Sequence, residues 1–190
     1  MPKRAPAGIA LHSAAGTGIG TSMTPEDGRA PAPLNAAFMA RHPAAVLALT
    51  GGLGLIPLAP GTWGAVAGIP LGLYLATIPA IAAIAVLAAG FAVGVWACGV
   101  TARAAGVHDH QAIVFDETWA MAVVIAFAPT GATAVLAGFL AFRLFDIAKP
   151  WPIGRIDRQV GGGFGIMLDD AVAALFALAA VAALARFGWL

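Results

Sequence analysis

The chain has 190 residues, of which 61% are hydrophobic and only 10% charged, and its formal net charge is +1. With a mean hydropathy of +0.90, this excludes an ordinary soluble surface, where roughly a quarter of residues are charged, and describes an integral membrane protein. No basic block is present to bind nucleic acid, and the lone Cys98, inside an apolar run, excludes a disulfide framework or a cysteine-based zinc site.

Residues 1–40 are rich in Pro, Ala, Gly, Ser and Thr and read as a mobile, low-complexity tail ahead of a membrane-embedded domain at 41–190. The tail holds no apolar core long enough for a signal peptide. Its glycine run at 16–20 lacks the lysine of a phosphate loop. From 42 to 102 there is no acidic residue, Lys or Arg, and Pro57, Pro60, Pro70 and Pro79 punctuate the run. A spanning helix needs about 20 residues, so the run divides into a broken segment around 44–60 and helices near 62–78 and 80–101. The first of these is so rich in Gly and Pro that it either re-enters the membrane or caps the bundle.

A polar stretch at 103–117 follows, then apolar segments at 118–128 and 132–148, a second polar stretch at 149–170, and a last apolar segment at 171–185. The expected fold is an all-α polytopic membrane bundle of about four to five apolar segments. Five crossings put the tail and both polar stretches on one side. That side carries Lys3, Arg4, Arg29, Arg41, Lys149, Arg155 and Arg158, whereas the opposite loops, at 77–80 and 129–131, carry no charge. The positive-inside rule makes the charged side cytoplasmic.

Seven of the nine acidic residues fall between 109 and 170. Ionisable groups near a membrane are costly unless paired or hydrated, so this clustering marks a site. Asp116-Glu117 and Asp169-Asp170 each stand where a helix is expected to open, and acids at helix starts can serve simply as caps. Asp146 lies at the unfavourable end of its helix, where it either pairs with Arg143 or helps hold a cation. Carboxylates without cysteine suit a hard ion, Mg²⁺ first. Arg143, Lys149 and Arg155 are candidates for phosphate oxygens, with lipid headgroups an equal alternative for Arg155 and Arg158. Gly163 and Gly165, before the last helix, could open backbone amides to an anion, and Pro60-Gly61-Thr62 starts an earlier helix in the same manner, with Thr62 as its candidate cap. His108 and His110 are spaced too closely for a zinc signature and suit a supporting role around a phosphate.

Five blocks then occur in order: Leu55-Ile-Pro-Leu-Ala-Pro-Gly-Thr-Trp-Gly64, Val107-His-Asp-His110, Phe115-Asp-Glu117, Phe142-Arg-Leu-Phe-Asp-Ile-Ala-Lys-Pro-Trp-Pro-Ile153 and Gly162-Gly-Phe-Gly-Ile-Met-Leu-Asp-Asp170. Together they resemble the phosphatidylglycerophosphatase A family over about residues 43 to 188. Phe115, where a Trp or another large apolar residue is expected, and Ala120, where Gly is common, are the departures. The resemblance implies a Mg²⁺-dependent lipid phosphatase of the bacterial inner membrane that converts phosphatidylglycerophosphate to phosphatidylglycerol, and an all-helical fold with a buried central helix. In that reading Asp116, Glu117, Asp146, Asp169 and Asp170 hold the metal, while Arg143 and Lys149 orient the phosphate. The competing class is a small transporter or ion-binding membrane protein, which should carry ionisable residues near mid-membrane in two matching halves. The Ser-Gly-His and Asp-x-Asp cores of other phosphatases are absent.

Overall fold

The computed structural model describes residues 32–107 and 110–190, and every regular element among them is helical. Asn35 starts the first helix: its side-chain oxygen accepts from the Phe38 amide at 2.9 Å, satisfying one of the unpaired donors of a helix start. The helix it opens, α1 (Ala36–Arg41), leads directly into α2 (Pro43–Ala48) and a 3₁₀ stretch, Thr50–Leu55. Phe38 is buried and stacks on His42, and the Ala32 amide donates to the Ala105 carbonyl. Residues 32–40, expected from sequence to belong to the tail, thus make contacts with the bundle through Ala32 and Phe38. The rest of the expected tail, 1–31, lies outside the described residues.

The segment expected to be broken around 44–60 is broken. Gly51 and Gly52 take φ of 66° and 103°, a left-handed backbone that glycine adopts without steric cost, and Ala59 is left-handed before Pro60 begins the next helix. Then come α3 (Pro60–Leu75), α4 (Ala80–Ala105), α5 (Phe115–Phe127), α6 (Ala132–Ala148), α7 (Ile153–Gln159) and α8 (Gly162–Arg186). The last helix starts well before 171: the glycine run that reads as a loop is its first turn.

Small residues set how these helices meet. A Cβ added at Gly64, Gly68 or Gly72 would strike the carbonyl of Val114, Thr118 or Ala122, so the backbone of α3 lies directly against that of α5. Ala120, Met121, Ala122 and Val124 of α5 are completely buried as a result, which makes α5 the central helix. Helices α4 and α8 cross in the same way at Gly99 and Gly163. Large aliphatic side chains face outward instead: Ile81, Leu144 and Leu175 are each more than half exposed. An apolar exterior around a small-residue interior suits hydrocarbon surroundings.

Helices α4 and α8 have 26 and 25 residues and are long and apolar enough to cross a membrane. Only 28% and 44% of their apolar windows are buried by protein, unlike the core helix of a soluble domain. Helices α3, α5 and α6 have 16, 13 and 17 residues, short of the usual span of about 20. The end of α4, the start of α5, the end of α6 and the start of α8 come together at one end of the bundle, and the candidate site lies there.

Candidate active site

Helix geometry brings the carboxylates together from three elements. Asp116 and Glu117 occupy the first turn of α5, whose N-cap position, Val114, supplies no side-chain acceptor. Asp146 sits in the last turn of α6. Asp169 and Asp170 lie about two turns inside α8, far from its first amides, so they are not helix caps. All five line one cavity of about 100 Å³, together with His110, Gln111, Lys149 and Asp157.

Three of the five form the centre. Asp116, Glu117 and Asp170 can each present one oxygen such that all three oxygens fall within 4.8 Å of one another. Asp116 Oδ1, Glu117 Oε2 and Asp170 Oδ2 are buried and have no hydrogen-bond partner. Like charges this close, taken out of water, repel strongly unless a cation lies among them. The donors are all oxygen, which fits a hard metal ion.

The other two acids are engaged by cations of the chain. Arg143 Nη1 donates to Asp146 Oδ2 at 2.5 Å and lies 3.9 Å from Glu117 Oε1, while its Nε is buried without a partner. Lys149, in the left-handed conformation that closes α6, donates to Asp157 Oδ1 at 2.6 Å and to Asp169 Oδ2 at 2.8 Å. Burial alone would pull the Lys149 ammonium down, but the two carboxylates outweigh it and hold its pKa above the usual lysine range. Both cations expected to touch phosphate are thus already engaged by carboxylates: Lys149 clasps α7 to α8, and Arg143 holds Asp146 through Nη1 while its buried Nε has no partner.

The remaining candidates divide. His110 lines the cavity, and its Nδ1 accepts from the Ala112 amide at 3.1 Å, which leaves Nε2 to carry the proton of a neutral ring. His108 lies outside the described residues. Thr62 does not cap α3, which has no side-chain cap, and does not line the cavity. Arg155 is exposed and donates to Gln159 at 3.0 Å, away from the cavity. Gly163 has a packing role, since a Cβ there would strike the Val95 carbonyl and Gly99; Gly165 lines the cavity, and a Cβ on it would strike the Val160 carbonyl.

Two residues went unassigned from sequence. Asp157 completes the Lys149 clasp; its only signal was its position in the same polar stretch. Gly61 has no side chain because a Cβ would collide with Glu117 Oε1 and crowd Arg143 Nη1, so the first turn of α3 is pressed against the site. A second cavity of about 150 Å³ shares His110 and Gln111 and is walled by Leu55, Ile56, Pro57 and Pro60, which brings the broken segment beside the acids.

Buried carboxylates able to hold a metal ion, gathered at one end of an apolar helical bundle beside a guanidinium, are the equipment of a membrane-associated phosphatase. The sequence profile of phosphatidylglycerophosphatase A matches residues 46–185. Phosphatidylglycerophosphatase A of Escherichia coli K12 is 44% identical over 133 residues, covering 70% of this chain and 77% of that protein. The Haemophilus influenzae protein of the same name is 41% identical over 145 residues, 75% of this chain and 89% of the relative. A putative phosphatidylinositol-3-phosphatase of Bacteroides thetaiotaomicron is 34% identical over 141 residues, 69% of this chain and 86% of the relative. No solved structure matches the chain. The chain belongs to the phosphatidylglycerophosphatase A family.

Proposed function

We propose that this chain hydrolyses phosphatidylglycerophosphate to phosphatidylglycerol and phosphate with the help of Mg²⁺, at the cytoplasmic face of a bacterial inner membrane. The observation that carries the reading is the trio of partnerless carboxylate oxygens on Asp116, Glu117 and Asp170. Those three would hold the ion. When bound, Mg²⁺ offsets phosphate charge and makes a coordinated water more acidic. Asp146 and Asp169, each tied to a cation, would fix the outer edge of the site and keep the central acids in place. Arg143, through its free Nε, and His110, through Nε2, are the donors that would meet phosphate oxygens and steady the charge that builds there. Water attacks phosphorus, the bond from phosphorus to the lipid's glycerol oxygen breaks, and the proton lost by the water ends on that oxygen.

Helices α3, α4, α5, α6 and α8 supply five apolar segments, and α1, α2 and the 3₁₀ stretch cap the bundle without re-entering it. In support, the Ala32 amide is bonded to Ala105 and the Ala48 carbonyl to the Val114 amide, both at the site end. That end carries Arg41, Arg103, Lys149, Arg155 and Arg158, against Arg186 alone at the other among the described residues, which favours a cytoplasmic site. The same one-ended distribution disfavours a transport path. Phosphate release by the purified protein in detergent, from phosphatidylglycerophosphate with and without Mg²⁺, tests the reading. Metal-dependent release is expected, and no release from this lipid with Mg²⁺ present would overturn it.

A further inference from the structure

Between α6 and α8 an apolar groove of about 490 Å³ is walled by Phe145, Leu175 and Phe176 and floored by Ala179 and Ala180. That volume is in the range of a ligand site. Two alanines make the hollow; larger residues there would fill it. The groove lies on the two helices that carry part of the site. Phe145 directly precedes Asp146, and on α8 the residues Asp169, Val172, Phe176 and Ala180 follow one another along a single face at helical spacing. Phe145 and Phe176, both in the groove wall, meet edge to face at 5.5 Å. Leu175 is 61% exposed, so the groove opens on the outer surface of the bundle, where lipid lies.

We infer that this groove holds one acyl chain of the phospholipid whose phosphate is at the acids. The inference rests on the reading of the chain as a lipid phosphatase. Length argues for this occupant. Phe176 and Ala180 follow Asp169 by roughly 10 and 16 Å along the helix axis at 1.5 Å per residue. In a phosphatidylglycerophosphate about nine covalent bonds separate the terminal phosphorus from the acylated glycerol carbon, roughly 10 Å when extended. A phosphate seated among the carboxylates therefore delivers the first acyl carbons to the upper end of the groove. Polar arm and apolar tail are measured against one helix, α8, which carries both the acids and the groove floor.

The test compares two substrates: a long-chain phosphatidylglycerophosphate and its dibutyroyl analogue, whose chains are too short to fill the groove. Ala180→Phe and Ala179→Phe close the hollow from adjacent positions, so a folding failure in one leaves the other. Both should raise KM for the long-chain lipid about tenfold with kcat within about twofold, the pattern of lost uniform binding, and leave hydrolysis of the dibutyroyl lipid unchanged. On the unaltered protein, a long-chain substrate bearing a photoreactive group in its acyl chain should label Phe145 or residues within 175–180. Unchanged KM for the long-chain lipid in a folded variant, or labelling elsewhere, would overturn the assignment and leave the groove to bulk lipid. Failure of the unaltered protein on both substrates would instead overturn the phosphatase reading, and the groove's occupant with it.

Discussion

Asp116-Glu117 and Asp169-Asp170 look alike as adjacent acids before an apolar run, yet their surroundings differ. The α5 pair stands in the first turn of its helix, where unpaired amides and the dipole favour negative charge. The α8 pair lies about two turns inside its helix, where neither operates. Asp169 is compensated by Lys149. Asp170, 3% exposed and with Oδ2 unpartnered, has its nearest companions among other acids. A helix start can keep an acid for structural reasons alone; an acid at the position of Asp170 is retained at a cost to stability, as expected where function requires it.

The comparison is sharpest in paired substitutions. Asp170→Asn should lower turnover by about a hundredfold or more, the scale of losing one charge-stabilising group, and should raise the Mg²⁺ needed for half-maximal rate. Without metal the same variant should melt no lower than the unaltered protein, because a buried charge among like charges has been removed. Asp116→Asn should lose activity too, by about tenfold to a hundredfold, because the α5 amides still favour an oxygen there. Initial rates against Mg²⁺, with melting in chelator, read both effects; a metal-free Asp170→Asn protein that melts lower than the parent would break the contrast.

Lys149→Met comes next. It leaves Asp157 and the buried Asp169 without their cation and should cost about 1–3 kcal/mol, less than a fully buried pair because Lys149 keeps some solvent contact. The sign in pH follows from a pKa raised on folding: the contribution is full below the unfolded lysine value of about 10.4 and is lost only as pH climbs beyond it. The drop in melting temperature should thus be equal at pH 6 and pH 9; a drop that vanishes by pH 9 would mean that the clasp is not an ammonium contact. The smallest effect belongs to Arg155→Ala, which should stay within about twofold in rate, since an exposed side chain bonded only to Gln159 makes no contact with the cavity. A tenfold loss there would bring α7 into the substrate's path.

Much of this arrangement was legible in the sequence, for a physical reason. In a chain so poor in charge, every buried carboxylate stands out, and apolar runs cut by Pro and Gly announce helices. What stayed hidden depended on contacts between distant segments. Gly162 and Gly163 look like a loop because glycine is a poor helix former. They enter α8 because Gly163 must pass close to Gly99. The Lys149 clasp was invisible because a left-handed turn and a short helix bring Asp157 and Asp169 to the same ammonium. The packed stretch before residue 41 was missed because its one strong signal, the Asn35 cap with buried Phe38 three residues on, sits in a run of proline and alanine.

The brevity of α5 bears on how the protein is made. A helix of 13 residues, with Asp116 and Glu117 at its start, is too short and too polar at one end to partition from the translocon into lipid unaided. Helices α4 and α8 are long and apolar enough to do so. Helix α3 leaves the ribosome before α5 and already carries the glycine face that α5 needs. In the proposed topology, insertion of α5 would then be templated by an earlier segment, and bulky residues at Gly64, Gly68 or Gly72 would strand it outside the bilayer. The cell would register that defect as a protein degraded soon after synthesis, not as a slow enzyme.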